Sequence, residues 1–163
     1  MSDRENTIYI LYGSQTGNSQ DIAEELASRC IEELKINVYC GTLNSIKNEI
    51  PQLKNLVKLL FIVCSTTGNG DAPDNANKFW SIIKNRSLPK DFFENLSFSV
   101  LGLGDTNYDK FCYIGKSIDK RITELGGKQC LNLHCADEAV GLEMIVDAWL
   151  NNAFELIRLV ESK

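Results

Sequence analysis

The run "VKLLFIVCS", Val57 to Ser65, constrains this chain more than any other stretch. Apart from Lys58 it is apolar until Ser65, and it does not alternate. A strand apolar on both faces must be covered on both, as in the middle of a parallel sheet. The segments around it supply strands and cover. "TIYILYG" (Thr7 to Gly13) predicts a first strand. A helix is predicted from about Ser19, with Ile22, Leu26 and Cys30 on one stripe and Ala23, Ala27, Ile31 and Leu34 beside it. "NVYC" predicts a short second strand. After the third strand, Pro73 breaks the loop, and a helix is predicted from about Asp74 to Asn85 with Asp74 as its N-cap. "LSFSVLGLG" predicts the fourth strand. Phe111, Ile114, Ile118, Ile122 and Leu125 mark the next helix, which Gly126-Gly127 ends. "QCLNL" predicts the fifth strand, and a final helix carries Leu142, Ile145, Trp149, Leu156 and Val160.

Strands alternating with helices imply a parallel sheet with right-handed crossovers. With five strands the expected α/β fold is a three-layer, doubly wound, flavodoxin-like sheet of order 2-1-3-4-5. The 163 residues suit one domain, residues 1–163, with no repeat or long linker. A net charge of -5 argues against nucleic acid as a partner, because binding a phosphate backbone needs a concentrated basic face. "MSDRENTIYI" has neither the basic nor the apolar part of a signal peptide, and no apolar run is long enough to span a bilayer. The six cysteines form no CxxC pair and lie mostly in apolar contexts, so reduced thiols and a cytoplasmic location are expected; whether Cys130 and Cys135 pair stays open. His134 is the only histidine, which leaves no metal site of finger-like spacing and little for acid–base catalysis.

In a doubly wound sheet ligands bind beyond the carboxyl ends of the strands, so the loops after strands 1, 3, 4 and 5 matter most. The first, "GSQTGNS", has hydroxyls on Ser14, Thr16 and Ser19, and Gly13 and Gly17 let its backbone amides converge at a helix N-terminus. Neutral donors of this kind hold a phosphate without any Lys or Arg. A plain polar turn capped by Ser or Asn would read the same way. The loop after strand 3, "CSTTGNGDAPDN", combines glycines, threonines and a proline; a mobile surface loop shares that composition. After strand 4, "LGLGDTNYDKFC" offers close backbone approach at Gly102 and Gly104 and flat faces on Tyr108 and Phe111. After strand 5 comes the acidic "HCADEAVGLE". Together they suit a planar ring with a phosphorylated tail. "GKS" at Gly115 lacks the earlier glycine of a Walker loop, and "GLGDTN" lacks the third glycine of a dinucleotide fingerprint.

"SQTGN", "STTGNGDAPDNANKFW" and "VLGLGDTNYDKFC" resemble the FMN-binding domain of the diflavin reductases, and the resemblance covers nearly the whole chain. "LPKDFFENLSFSVLGLGD", "GKSIDKRITELG" and "HCADEAVGLEMIVDAW" are most similar to the methionine synthase reductase branch. The resemblance implies noncovalent FMN, its phosphate on Ser14, Gln15, Thr16, Gly17, Asn18 and Ser19. It implies that Ser65, Thr66, Thr67, Gly68, Asn69 and Gly70 border the ring. Leu103, Gly104, Asp105, Asn107, Tyr108, Phe111 and Cys112 would form a second wall with Tyr108 stacked, and Asp137 would lie near the ring. Thr67 stands where many relatives carry an aromatic. FAD and NADPH are expected only in a full-length protein, whose reductase module would pass electrons to FMN and on to an acceptor, methionine synthase with its cobalamin. No side chain of this domain is expected to act as a catalytic acid or base. Asp71, Asp74, Asp137, Glu138, Glu143 and Asp147 are expected to steer a basic partner. Other readings are a free-standing flavodoxin, the FMN domain of another diflavin reductase, or a phosphate-ligand module without redox chemistry.

Overall fold

The computed structural model describes residues 7–162. Residues 1–6, on which part of the signal-peptide reading rests, and residue 163 lie outside the described residues. The elements follow in the order β1 (Thr7–Gly13), α1 (Asn18–Leu34), β2 (Val38–Thr42), α2 (Leu53–Leu56), β3 (Val57–Ser65), α3 (Asn77–Ile83), β4 (Ser97–Gly104), α4 (Tyr113–Glu124), β5 (Lys128–Gln129), β6 (His134–Asp137) and α5 (Glu143–Glu161). Two 3-10 turns, Leu43–Ile46 and Ile50–Gln52, separate β2 from α2. The strands pair in parallel in the order β2-β1-β3-β4-β5, with β6 also on β4, which is the doubly wound α/β fold expected from the sequence.

The sheet separates two cores. Tyr9 and Leu11 of β1, Leu60 and Ile62 of β3, and Phe98 and Val100 of β4 meet Phe79 and Ile83 of α3 and Ile114, Ile118 and Ile122 of α4. On the other face Ile8, Ile10, Phe61, Val63, Leu101 and Leu103 meet Leu26 and Cys30 of α1 and Trp149, Leu150 and Ile157 of α5. Successive residues of β3 therefore bury into opposite layers, which is why this strand is apolar throughout. Trp149 is fully buried, sits edge-on to Phe61 at 5.9 Å, and donates its indole N–H to Ser99 Oγ at 2.9 Å. The one charge in β3 sits at an irregularity. The ladder pairs Thr7 with Val57 but Ile8 with Leu59, skipping Lys58. That skip lets Lys58 leave the sheet and meet Glu161 at 2.9 Å.

Three expectations are corrected. Phe111, expected to mark the helix after β4, precedes it, because Cys112 takes the cap position and α4 begins at Tyr113. The third helix starts at Asn77, not near Asp74, and Asp74 does not cap it. Asn44 of the first 3-10 turn does so across space: its Oδ1 accepts from the Lys78 and Phe79 amides at 2.9 and 3.0 Å. Its Nδ2 donates to the Asp74 carbonyl. Nor is "QCLNL" one strand. Only Lys128 and Gln129 pair with β4, the chain then leaves the ladder, and it returns at His134. Gly126, at φ 99°, makes the turn that ends α4.

Candidate functional site

The loops after β1, β3, β4 and β6 converge at the carboxyl edge of the sheet around a cleft of about 330 Å³. Gln15, Thr16, Asn18, Ser65, Thr66, Thr67, Gly68, Leu103, Gly104, Asp105, Tyr108, Lys110 and Glu138 line it. This volume lies at the small end of the range for ligand pockets, about 300–1,000 Å³.

One end of the cleft is the N-terminus of α1. Gly17 occupies the cap position at φ 100°, and no side chain caps the helix. The first-turn amides of a helix have no partner within it, so those of Asn18, Ser19 and Gln20 are available to a bound anion. The loop before the helix is held by its own groups. Ser14 Oγ accepts from the Gly17 amide at 2.7 Å, and the Ser14 amide donates to Asn75 Oδ1 at 2.9 Å. Gln15 Oε1 accepts from the Asp74 amide at 3.0 Å. Ser19 is fully buried, its hydroxyl 2.8 Å from that of Ser65. Of the six residues expected to hold a phosphate, Gln15, Thr16 and Asn18 line the cleft, while Ser14, Gly17 and Ser19 build the turn beneath it.

The loop after β3 is a tight turn. The Gly70 amide donates to the Thr67 carbonyl at 2.8 Å, and Thr67 donates to the Asp71 carbonyl through its amide and its hydroxyl, both at 2.9 Å. Gly70 has φ 90°, and a Cβ there would collide with the Lys110 side chain. Nothing crowds Gly68, which is exposed and lines the cleft; Asn69 at the tip of the turn is exposed but, like Gly70, does not line it. Thr66 Oγ1 accepts from the Ile114 amide at 3.0 Å, tying this wall to the start of α4.

The second wall runs from Leu103 to Cys112. Tyr108 is 56% exposed, so its ring is free to cover a ligand. Asp105 shapes the turn, accepting from the Asn107 amide at 2.8 Å and, through its carbonyl, from the Tyr108 amide at 3.0 Å. Phe111 and Cys112 lie behind the wall: Phe111 packs near Gly104, and Cys112 is fully buried. Asp137 points its carboxylate at the same loop. It accepts from the Thr106 amide at 2.9 Å, from the Thr106 hydroxyl at 2.6 Å and from the Ala139 amide at 3.0 Å. Those donors hold its carboxyl below the usual aspartate range, the Thr106 hydroxyl contributing most. Cys64, at the end of β3, is enclosed, and burial pushes its thiol up to about 12, so it is an inert packing group.

Glu138, expected among the acidic residues at the flavin edge, lines the cleft, and so does Lys110, to which the sequence assigned no role. Lys110 borders the cleft with its ammonium 5.1 Å from the centre of the Tyr113 ring, and Glu138 accepts from Asn18 Nδ2 at 3.4 Å. A lone lysine in a wall loop that otherwise carries only the acidic Asp105 and Asp109 was the available signal for Lys110. A neutral phosphate cradle, a cleft and an exposed aromatic beside it form a donor set that fits FMN.

The flavodoxin family model matches residues 10–149. The chain is 41% identical over 143 residues to the methionine synthase reductase of Bos taurus and 38% identical over 148 residues to the NADPH-dependent diflavin oxidoreductase 1 of Danio rerio. These matches cover 87% and 89% of this chain but 20% and 24% of the relatives, so the chain spans about a fifth to a quarter of their length. A cysteine-to-serine variant of the flavodoxin of Pseudomonas aeruginosa superposes with a TM-score of 0.72 at 24% identity, covering 93% of this chain and 99% of that one. By its sheet order, its cleft and the match over residues 10–149, the chain belongs to the flavodoxin family, whose cofactor is FMN.

Proposed function

We propose that this chain is the FMN-holding electron-transfer domain of an NADPH-dependent diflavin reductase of the methionine synthase reductase type. The observation that carries the reading is the uncapped N-terminus of α1 opening into a cleft walled by Tyr108 on one side and the Thr66 to Gly70 turn on the other. Bound there, FMN would supply one-electron steps between a two-electron donor and an acceptor protein.

The residues divide the work. The first-turn amides of α1 and the Thr16 hydroxyl would bind the phosphate as neutral donors. Ser14, Asn75 and the Ser19–Ser65 contact keep that turn in shape before any ligand arrives. Tyr108 would cover one face of the ring and keep water from it. Thr67 leaves the facing side without an aromatic. Asp137 positions the second wall through Thr106 and does not itself line the cleft. Neutral donors leave its carboxylate charged, so Asp137 joins Asp71, Asp74, Glu138, Glu143 and Asp147 as the acidic side chains for a basic partner surface.

The relatives named methionine synthase reductase support a cobalamin-bearing methionine synthase as acceptor and FAD and NADPH in further modules. A cytoplasmic setting follows from that assignment; among the described residues no helix is long and apolar enough to cross a membrane. The test begins with titration of the purified chain by FMN. Binding should quench flavin fluorescence and shift the visible absorption bands. The reduced, loaded chain should then re-reduce oxidised cobalamin in methionine synthase. A flavin spectrum unperturbed by the chain would remove the whole reading, whereas flavin binding without cobalamin reduction would remove only the acceptor.

A further inference from the structure

Two thiols face each other behind the second wall of the cleft. Cys112 sits at the cap position of α4 with φ 51° and is fully buried. Its sulfur occupies room left by two glycines: a Cβ on Gly104 would stand 2.9 Å from Cys112 Sγ, and one on Gly102 3.5 Å. Cys135 lies on β6 directly across the ladder from Gly102. Paired residues of neighbouring strands project to the same face, so Cys135 leaves the sheet on the side where Cys112 is lodged. The thiols are near enough to alter each other's ionisation. The neighbouring Cys112 thiol draws Cys135 below the ordinary thiol range, while Cys112, whose sulfur also lies 3.9 Å from the Ala136 carbonyl oxygen, is pushed far up. Lys116 favours the thiolate of both. Cys135 is half-buried, so a small oxidant reaches it before it reaches Cys112. Cys130, the other neighbour in sequence, packs against the α1 and α5 layer, on the opposite face of the sheet.

We infer that Cys112 and Cys135 form a reversible dithiol–disulfide pair, with Cys135 the residue attacked by peroxide and Cys112 the residue that resolves it. The Cys135 sulfur attacks hydrogen peroxide; an S–O bond forms, the O–O bond breaks, and hydroxide leaves, giving a sulfenic acid. The Cys112 sulfur then attacks Cys135; the S–S bond forms, the S–O bond breaks, and the departing hydroxide leaves as water with the Cys112 proton. Two thiols are oxidised by two electrons while one peroxide becomes two waters. Two equivalents of a small thiol reverse the step and end as its own disulfide. The bridge would pin the last residue of the second wall to β6, two residues before the Asp137 that braces the same wall.

The pair is tested by treating the chain with equimolar hydrogen peroxide, alkylating the remaining thiols and mapping peptides by mass spectrometry. The expected product is a Cys112–Cys135 cross-link, two hydrogens lighter than the reduced form and restored by dithiothreitol. Cys135→Ser should leave Cys112 reduced, and Cys112→Ser should leave a sulfenic acid on Cys135 that dimedone labels. The wild-type map decides the question even if Cys112→Ser does not fold. A Cys130–Cys135 link would overturn the inference. So would a Cys135 sulfinic acid beside a reduced Cys112, or oxidation confined to other thiols.

Discussion

Gly68 and Gly70 stand two residues apart in one turn and answer different demands. Gly70 holds φ 90° and leaves the space that Lys110 fills. Gly70→Ala should therefore cost about 1–3 kcal/mol in urea unfolding. Gly68 has open space around it and a φ outside the left-handed region. Gly68→Ala should be neutral or stabilising by about 0.4–1 kcal/mol, because alanine narrows the unfolded ensemble. Equal losses for the two variants would mean that the turn holds another conformation. Tyr108→Ala should weaken FMN binding roughly 2- to 10-fold in a fluorescence titration, in line with about 0.5–1.5 kcal/mol for an aromatic contact, while Tyr108→Phe should retain it. Asp137 makes a pH prediction with a definite sign. Its carboxyl is depressed in the folded chain, so the stability it adds is present above the ordinary aspartate value of about 4 and is lost as pH falls through the lower folded value. Thermal melts should show wild type losing its lead over Asp137→Asn only in that acid range; a lead kept at every pH would refute the linkage.

The sequence shows most clearly those elements whose pattern is their own. β1, β3 and β4 carry strand-like runs bounded by glycine or serine, and α1, α4 and α5 carry full apolar stripes, so their positions could be read directly. Where a distant residue sets a boundary, the local pattern misleads. Asp74 looks like a cap, but Asn44, some thirty residues earlier, reaches the amides of α3 first. Asn44→Ala should cost about 1–2 kcal/mol in equilibrium unfolding, as loss of an N-cap does; no change would mean that α3 is held by its packing alone. "QCLNL" has the composition of a strand, yet the ladder along β4 resumes only at His134. The candidate site divides in the same way. That four loops share one edge follows from βα connectivity. Which side chains face the cleft depends on how each loop is wired internally, and this separates Thr16 and Asn18 from Ser14 and Ser19, and Asp105 from Asp137.

At the scale of the whole molecule, a net charge of -5 accompanies two acidic side chains, Asp105 and Glu138, on the cleft wall. Near them Val140 and Met144 are 84% and 83% exposed, apolar contacts in an acidic field. Reduction of a basic protein acceptor by the FMN-loaded chain should slow severalfold as ionic strength rises, and Glu138→Lys with Glu143→Lys should flatten that dependence. Stopped-flow rates measured across a salt series decide it, and rates indifferent to salt would argue against steering. The interruption between β5 and β6 bears on the behaviour of the chain in a crowded solution. An uninterrupted outer strand offers a long row of free amides and carbonyls on which a second molecule can add a strand. Here that rim is two short pieces, Lys128–Gln129 and His134–Asp137, separated by a detour. Another chain arriving at this rim finds too few consecutive groups to extend the sheet from it.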